Sequence, residues 1–144
     1  MLFSVEDALS AALAPVLRDI RATRVPEPEI RDTDWLEDKQ FLSAILEGDG
    51  SERSVCVRKA DKAPFQVAEM ADQVQEWVIE ELWPAGPTNW PPCPSHPENH
   101  PMQAAVVGST ATWVCPKEWK PFTPVGNLGG DPWIRSATSS WRTS

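Results

Sequence analysis

Two of the three cysteines and both histidines of the chain fall within residues 93–115, in the order Cys93, His96, His100 and Cys115. A Cys-x2-His pair can form a turn in which the thiolate and the imidazole converge on one ion, and the next histidine follows within reach of that turn. Two thiolates and two neutral imidazoles are a donor set that zinc prefers. The sequence therefore predicts one structural Zn²⁺ ion bound by these four side chains.

The residues around these four refine the prediction. A proline directly follows Cys93, His96 and His100, and it restricts the backbone so that less entropy is lost when the site is arranged. Glu118 occupies the x2 position after Cys115, where a common zinc ribbon carries a second cysteine, so its carboxylate could replace one histidine as a ligand. Four protein ligands favour a closed structural site. The alternative, two core histidines and two buried thiols, explains the clustering less well.

Few residues are candidates for catalysis. His96-Pro97-Glu98 matches the His-x-Glu half of zinc deaminases, but the Pro-Cys-x2-Cys half that should follow is absent. The chain contains no nucleotide-binding glycine loop, no Gly-x-Ser-x-Gly motif and no His-Glu-x-x-His motif. With both histidines on the metal, no imidazole remains for a serine or cysteine triad. We therefore expect a protein that is not an enzyme, with a metal-dependent hydrolase as an alternative.

The composition narrows the classes of partner. The net charge is −8 and the 13 basic residues are scattered, which argues against nucleic acid, because its binding requires clustered Lys and Arg. The first residues lack the basic and apolar regions of a secretory signal, and no apolar run is long enough to cross a bilayer. We therefore expect a cytoplasmic or virion protein without membrane contact. Eight tryptophans favour protein partners or self-assembly as part of a larger assembly.

The spacing of apolar residues predicts an α+β fold. The predicted order is a helix, a β-hairpin, a second helix, a small zinc-bound β-hairpin similar to a zinc ribbon, and an irregular tail rich in Trp and Pro, which we expect to be mobile. These elements divide the chain into an N-terminal amphipathic helix, a hairpin–helix core, a zinc-binding module and an extended C-terminal tail, at residues 1–24, 25–83, 84–128 and 129–144.

Local signals make some of these elements more specific. Pro15 should kink or break the first helix, since proline removes one backbone hydrogen bond. Residues 25–38 should form an extended linker, and Asp49-Gly50 predicts a tight turn with positive φ in the first hairpin. The second hairpin should turn at Gly108-Ser109. Cys56 has no ligand-type neighbour in sequence and is interpreted as a small, half-buried hydrophobic residue.

Three segments of the chain resemble one group of proteins. Residues 90–101 read Trp-Pro-Pro-Cys-Pro-Ser-His-Pro-Glu-Asn-His-Pro, residues 113–116 read Trp-Val-Cys-Pro, and residues 71–77 read Ala-Asp-Gln-Val-Gln-Glu-Trp. These patterns are similar to those of small uncharacterised zinc-binding proteins of actinobacteria and their phages, over residues 39–128. The resemblance implies no activity, but it does imply the same four metal ligands, Cys93, His96, His100 and Cys115.

These observations lead to three hypotheses about function. The first is a non-enzymatic structural or assembly protein stabilised by zinc, and specifically a virion component of an actinobacterial phage, at the tail or at the head–tail junction. The second is a cytoplasmic adaptor of a bacterial host, which would bind a protein through the predicted helix at 67–82 or through the Trp-rich tail. The third is the metal-dependent hydrolase.

Overall fold

The computed structural model describes residues 5–31, 33, 35–86 and 88–130, and the side chains from residue 8 onward in these ranges. Within them the chain forms two α-helices and two three-stranded antiparallel sheets, so the predicted α+β class is confirmed. In chain order the elements are α1 (Val5–Ala22), β1 (Glu29–Arg31), β2 (Phe41–Glu47), β3 (Glu52–Arg58), α2 (Ala63–Leu82), β4 (Gln103–Val107), β5 (Thr110–Val114) and β6 (Pro121–Pro124). Single turns of 3₁₀ helix follow α2 and β6, at Trp83–Ala85 and Leu128–Gly130.

The two sheets share one hydrophobic core. The first sheet has the strand order β1-β2-β3 and the second has the order β4-β5-β6. The helix α1 packs against α2, and α2 also contacts β3 of one sheet and both β4 and β5 of the other. The buried side chains of these elements form a single cluster, in which Trp77, Trp90 and Trp113 are the largest members. The helices therefore fix the two sheets relative to each other.

The helix α1 runs without interruption through Pro15, so of the kink or break expected at this residue the break is wrong, and a kink stays a prediction. Leu13 and Val16, on either side of the proline, are both buried in the core, and this burial supports the helix across the missing hydrogen bond. Pro15 also packs closely on the loop after β6, because a Cβ added to Gly126 would lie only 3.0 Å from the Cβ of the proline. Tertiary packing therefore offsets the local penalty of Pro15.

The helix α1 ends in a Schellman motif that contains no glycine. The N–H of Val25 donates to the carbonyl of Ile20, and the N–H of Arg24 donates to the carbonyl of Arg21. Arg24 has a φ of 61°, the left-handed conformation that this motif requires. Val25 and Ile20 are both buried, as this type of helix end favours. In the part of the chain that the structure describes, neither helix is long and apolar enough to cross a membrane.

Two short edge strands are not predicted by the sequence. The strand β1 lies within the expected linker at 25–38 and pairs with β2, whereas β6 lies in the expected zinc-binding module at 84–128, beyond its predicted hairpin, and pairs with β5. Each has only three or four residues, and β6 begins and ends with proline, which edge strands tolerate. Such segments carry no alternating pattern, so their pairing depends on the free edges of β2 and β5. The tail at 131–144, with Trp133 and Trp141, lies outside the described residues.

The turn of the first hairpin differs from its prediction, whereas the second turn confirms it. Neither Asp49 nor Gly50 has a positive φ, so the expected conformation of this pair is wrong. The carboxylate of Glu81 on α2 instead accepts hydrogen bonds from both N–H groups, at 3.0 and 3.2 Å, and from the hydroxyl of Ser51 at 2.7 Å. The glycine and serine at 108–109 have φ of 53° and 67°, as a two-residue hairpin turn requires.

A buried carboxylate connects α1 to the second sheet. One oxygen of Asp19 accepts hydrogen bonds from the indole of Trp113 at 2.8 Å and from the N–H of Gly126 at 2.7 Å. The other oxygen accepts one from the N–H of Leu128 at 3.0 Å. Burial raises the pKa of Asp19, although these three donors and the nearby Arg18 act in the opposite direction. Asp19 is therefore fully enclosed and saturated with donors, as a buried carboxylate must be.

We expect Asp19→Asn to lower the free energy of unfolding at pH 7 by about 1 to 3 kcal/mol. An amide offers one acceptor oxygen where the carboxylate offers two, so at least one of the three donors would face an NH₂ group. Urea unfolding of the variant measures this loss. Asp72→Asn, which changes an exposed carboxylate on α2, is the matched control and should leave stability nearly unchanged. Equal stability of the two variants would contradict the role given to Asp19.

The Glu81 carboxylate should make stability depend on pH. Burial raises the pKa of Glu81, but the hydrogen bonds from Ser51, Asp49 and Gly50 together outweigh it and hold this pKa below its ordinary value of 4.5. A depressed pKa in the folded state means that the stabilisation is present above the unfolded pKa and is lost as the pH falls through the folded pKa. Wild type should therefore exceed Glu81→Gln in stability at pH 7 by roughly 1 kcal/mol, and this difference should shrink below pH 4.5. Thermal unfolding across pH measures it, and a difference that is independent of pH would contradict the assignment.

Candidate metal centre

A loop at residues 90–102 carries three of the four predicted ligands and is closed at its base. Pro92 and Pro101 face each other in an isolated antiparallel bridge. Beside it, the N–H of Met102 donates to the carbonyl of Pro91 at 2.7 Å. The ends of the loop are thus joined by backbone contacts, which bring Cys93 and His100, next to the bridge, close together.

Two successive turns inside the loop bring its ligands to one side. The N–H of His96 donates to the carbonyl of Cys93 at 3.0 Å, which closes the Cys-x2-His turn that the sequence predicts. The N–H groups of Asn99 and His100 both donate to the carbonyl of His96, at 3.1 and 3.4 Å. The chain therefore folds back at His96, and the three donor side chains converge.

Gln75 holds both ends of this loop against α2. Its side-chain nitrogen donates to the carbonyl of Trp90 at 3.0 Å and to the carbonyl of Met102 at 2.5 Å. The side chain is buried, so these bonds form in a medium of low polarity where they are strong. Gln75 was not predicted as a supporting residue, although its position in the sequence carries a signal. Gln75 lies four residues after Ala71 and three before Val78, within the buried face of the helix.

The strand β5 delivers the fourth ligand. Cys115 directly follows β5, and the indole of Trp113 within that strand packs edge-to-face on Trp90, with ring centroids 5.8 Å apart. The segment after Cys115 folds back sharply, because the N–H of Trp119 donates to the carbonyl of Cys115 and the N–H of Cys115 donates to the carbonyl of Lys120. A buried pair of tryptophans therefore sets the position of Cys115 relative to the loop.

All four predicted residues meet in one cluster. Their potential ligand atoms lie within 4.8 Å of one another, close enough to hold a metal ion. The Nδ1 of His96 is 3.7 Å from the Sγ of Cys93 and 3.8 Å from the Sγ of Cys115. Metal–ligand bonds of about 2.3 Å to sulfur and 2.1 Å to nitrogen, in tetrahedral geometry, would separate sulfur and nitrogen by about 3.6 Å. These two separations thus fit a four-coordinate centre.

His100 presents one nitrogen without a partner. Its Nδ1 is 3.0 Å from the carbonyl oxygen of Pro101, so this nitrogen carries the proton and donates. Its Nε2 is buried and has no hydrogen-bond partner among the described residues. A buried acceptor without a donor is rare in folded proteins, and a metal ion would satisfy this lone pair. A backbone carbonyl that fixes the tautomer of a metal-binding histidine is a common arrangement.

Glu118 lies behind His96 rather than within the ligand set. Its carboxylate is 3.5 Å from the Nε2 of His96, whereas the Nδ1 of the same ring faces the two sulfur atoms. The group of potential ligands consists of the two cysteines and the two histidines, without Glu118. The carboxylate can therefore orient the imidazole and increase its basicity from the far side, as carboxylates do for zinc-bound histidines.

The Cys93 thiol is an unfavourable anion in the absence of a cation. Cys93 and Cys115 are both completely buried. Burial raises the pKa of the Cys93 thiol and the adjacent Cys115 raises it further, while the backbone N–H groups of Ser95 and His96 act against this. A divalent cation reverses the balance, because it binds thiolates directly. The site therefore combines four side chains of metal-binding type with two backbone N–H groups, those of Ser95 and His96, that donate to the sulfur of Cys93.

Cys56 is separate from this cluster. It lies in β3, is half-buried and is one of three free cysteines. Burial raises the pKa of its thiol, and the charge of Glu69 raises it further. These surroundings disfavour a thiolate and therefore argue against a nucleophile, whereas the packing role interpreted from the sequence stays a prediction.

No match to this chain was found among protein-family models, curated proteins or solved structures. The likeness to small zinc-binding proteins of actinobacteria and their phages stays a prediction. What the chain can do chemically therefore follows from the cluster itself, namely that it can hold one metal ion between Cys93, His96, His100 and Cys115.

We expect Glu118→Gln to weaken zinc binding by about tenfold, the low end of the range for such partners, because the carboxylate is more than half exposed. The amide still contacts the imidazole but no longer supplies a charge. Competition with a chelating dye at fixed pH measures the affinity. Glu98→Gln, at an exposed site in the same loop, is the matched control. An unchanged affinity would show that Glu118 has no part in metal binding. A loss of more than about a hundredfold would indicate that Glu118 is itself a ligand.

Proposed function

We propose that the cluster binds one structural Zn²⁺ ion through Cys93, His96, His100 and Cys115, and that the protein is a non-enzymatic component of a protein assembly. One observation carries the metal assignment. Two buried sulfur atoms and the partnerless, buried Nε2 of His100 lie with His96 in a group only 4.8 Å across. Apolar packing does not account for this group, because the buried Nε2 of His100 has no hydrogen-bond partner among the described residues.

The donor atoms favour zinc over other metals. Two thiolates and two imidazoles are softer than the oxygen donors that Mg²⁺ and Ca²⁺ require, and an iron–sulfur cluster is usually held by four cysteines. The separations between the Nδ1 of His96 and the two sulfur atoms fit tetrahedral coordination. The S₂N₂ set therefore supports Zn²⁺ as the resident ion.

The number of protein donors supports a structural role. Four side chains fill a tetrahedral site and leave no position for a water molecule, whereas catalytic zinc keeps one open. Both histidines of the chain belong to the cluster, so neither is available as a general base beside it. The ion would instead connect the loop at 90–102 to the end of β5. Because it would bind the folded chain and not the unfolded one, it would stabilise the folded state.

Exposed aromatic side chains support a role in assembly. Trp83, Trp119 and Phe65 are each more than half exposed, and aromatic residues are enriched in protein–protein contacts. The narrower proposal of a phage virion component rests on the resemblance in sequence. Mass spectrometry of purified particles tests it, and a chain that is absent from particles and monomeric in solution would instead favour the host adaptor.

Metal analysis of the purified full chain tests the zinc assignment. We expect one zinc ion per chain, and removal by a strong chelator should lower the melting temperature by roughly 10 °C. Cys115→Ser should weaken zinc binding by at least about a hundredfold, because it removes one of two thiolate ligands. Cys56→Ser is the matched control, since this cysteine lies outside the cluster, and it should bind zinc as the wild type does.

X-ray absorption distinguishes the structural site from a catalytic one. Two sulfur and two nitrogen neighbours around zinc are expected for a closed site. A coordinated water in place of one nitrogen would favour the metal-dependent hydrolase. A chain without zinc, whose stability is unaffected by the chelator, would contradict the whole proposal.

A further inference from the structure

A groove runs between α2 and β4, away from the metal cluster. It has a volume of about 440 Å³, and its walls include Phe65, Glu69 and Asp72 on the helix and Ala104 and Val106 on the strand. The strand β4 is the outer strand of its sheet, since the order is β4-β5-β6. The groove is therefore bounded on one side by a sheet edge and on the other by a helix.

The edge of β4 presents unpaired backbone groups. The hairpin between β4 and β5 has a two-residue turn, so the closing pair Val107 and Thr110 is hydrogen-bonded and the following pairs alternate. The N–H and C=O groups of Ala104 and Val106 therefore point away from β5, along the free edge that borders the groove. No group among the described residues is hydrogen-bonded to them. Such an edge is a template for another strand.

The same helix covers the corresponding edge of the first sheet. The side-chain amide of Gln73 accepts from the N–H of Cys56 at 2.9 Å and donates to its carbonyl at 2.7 Å. Gln66 donates to the carbonyl of Arg58 at the end of the same strand. These amides occupy the outer groups of β3 as a neighbouring strand would. In the described chain, α2 thus covers the edge of β3 and leaves that of β4 uncovered.

The side chains of α2 and of the residues just before it determine which chemical groups a bound segment must have. Asp61, Glu69 and Asp72 contribute three carboxylates, and none of them forms an ion pair among the described residues. Between them Phe65 exposes 52% of its surface. An occupant therefore needs positive charge, at least one apolar side chain and an extended backbone.

We propose that this groove binds an extended, Lys- or Arg-rich segment of a partner protein, which adds to β4 as a fourth strand. Backbone hydrogen bonds to Ala104 and Val106 would supply affinity, and alternate side chains of the segment would face α2, as in other cases of strand addition. Its basic side chains would lie against Glu69 and Asp72. This site goes beyond the metal centre and does not rest on it.

A synthetic peptide tests the proposal on the full chain. The probe is a blocked nine-residue peptide of alternating Lys and Val, titrated into ¹⁵N-labelled protein. We expect the amide signals of Ala104 and Val106 to shift and their hydrogen exchange to slow, with an affinity that falls as salt increases. A matched peptide with Glu in place of Lys should not bind. Equal binding of both peptides, or the absence of shifts at β4, would overturn the proposal.

Two kinds of variant locate the binding to the strand and to the helix. Val106→Pro removes one outward N–H while the inward bonds of β4 to β5 remain. Glu69→Lys and Asp72→Lys reverse the charge of the helix wall, with Glu76→Lys as the matched control at another exposed position of α2. Val106→Pro and each groove reversal should weaken peptide binding by about fivefold or more, whereas the control should change it less than about twofold. If Val106→Pro does not fold, the peptide affinities of the two charge-reversal variants decide the test.

Self-association is the competing outcome. If the amides of Ala104 and Val106 shift with protein concentration alone, the edge pairs with a second copy of the chain, and the proposed partner is wrong. Zinc content and peptide binding are measured separately, so either proposal can fail while the other stands.

Discussion

The arrangement of the Cys-His cluster depends on hydrogen bonds from two buried tryptophans to α1 and to the residue that follows it. The indole of Trp113 donates to Asp19, and the indole of Trp90 donates to the hydroxyl of Thr23, one turn further along. Trp113 stands two residues before Cys115, and Trp90 stands three residues before Cys93. These two bonds connect the segments that carry both cysteines to α1 and to Thr23 just after it, although none of these α1 residues belongs to the cluster.

The α+β class and the composition of the cluster could be predicted from the sequence, whereas its supports could not. Residue type and spacing suffice for Cys93 and His96, because thiolates and imidazoles have a restricted coordination chemistry. Asp19 gives no such signal. A single acid in an apolar helix face is ordinary, and its donors come from the other end of the chain, where no local pattern connects them. The edge strands β1 and β6 are likewise determined by their partners.

Local rules fail in this protein where tertiary contacts are stronger than the backbone preference. Pro15 remains inside a continuous helix because the loop at Gly126 packs against it. The pair at 49–50 avoids its expected conformation because the carboxylate of Glu81 accepts both N–H groups. At 108–109 no side chain intervenes, and the turn has the expected geometry. Propensity is a weak prior, and each exception here has an identifiable long-range contact.

The closure of the loop at 90–102 has a consequence for the order of events when the protein is made. The bridge between Pro92 and Pro101 and the two hydrogen bonds of Gln75 join the ends of this loop. Under the proposed function, these contacts would let the loop close during folding whether or not an ion is already bound, and exchange of the ion would leave the ends of the loop joined.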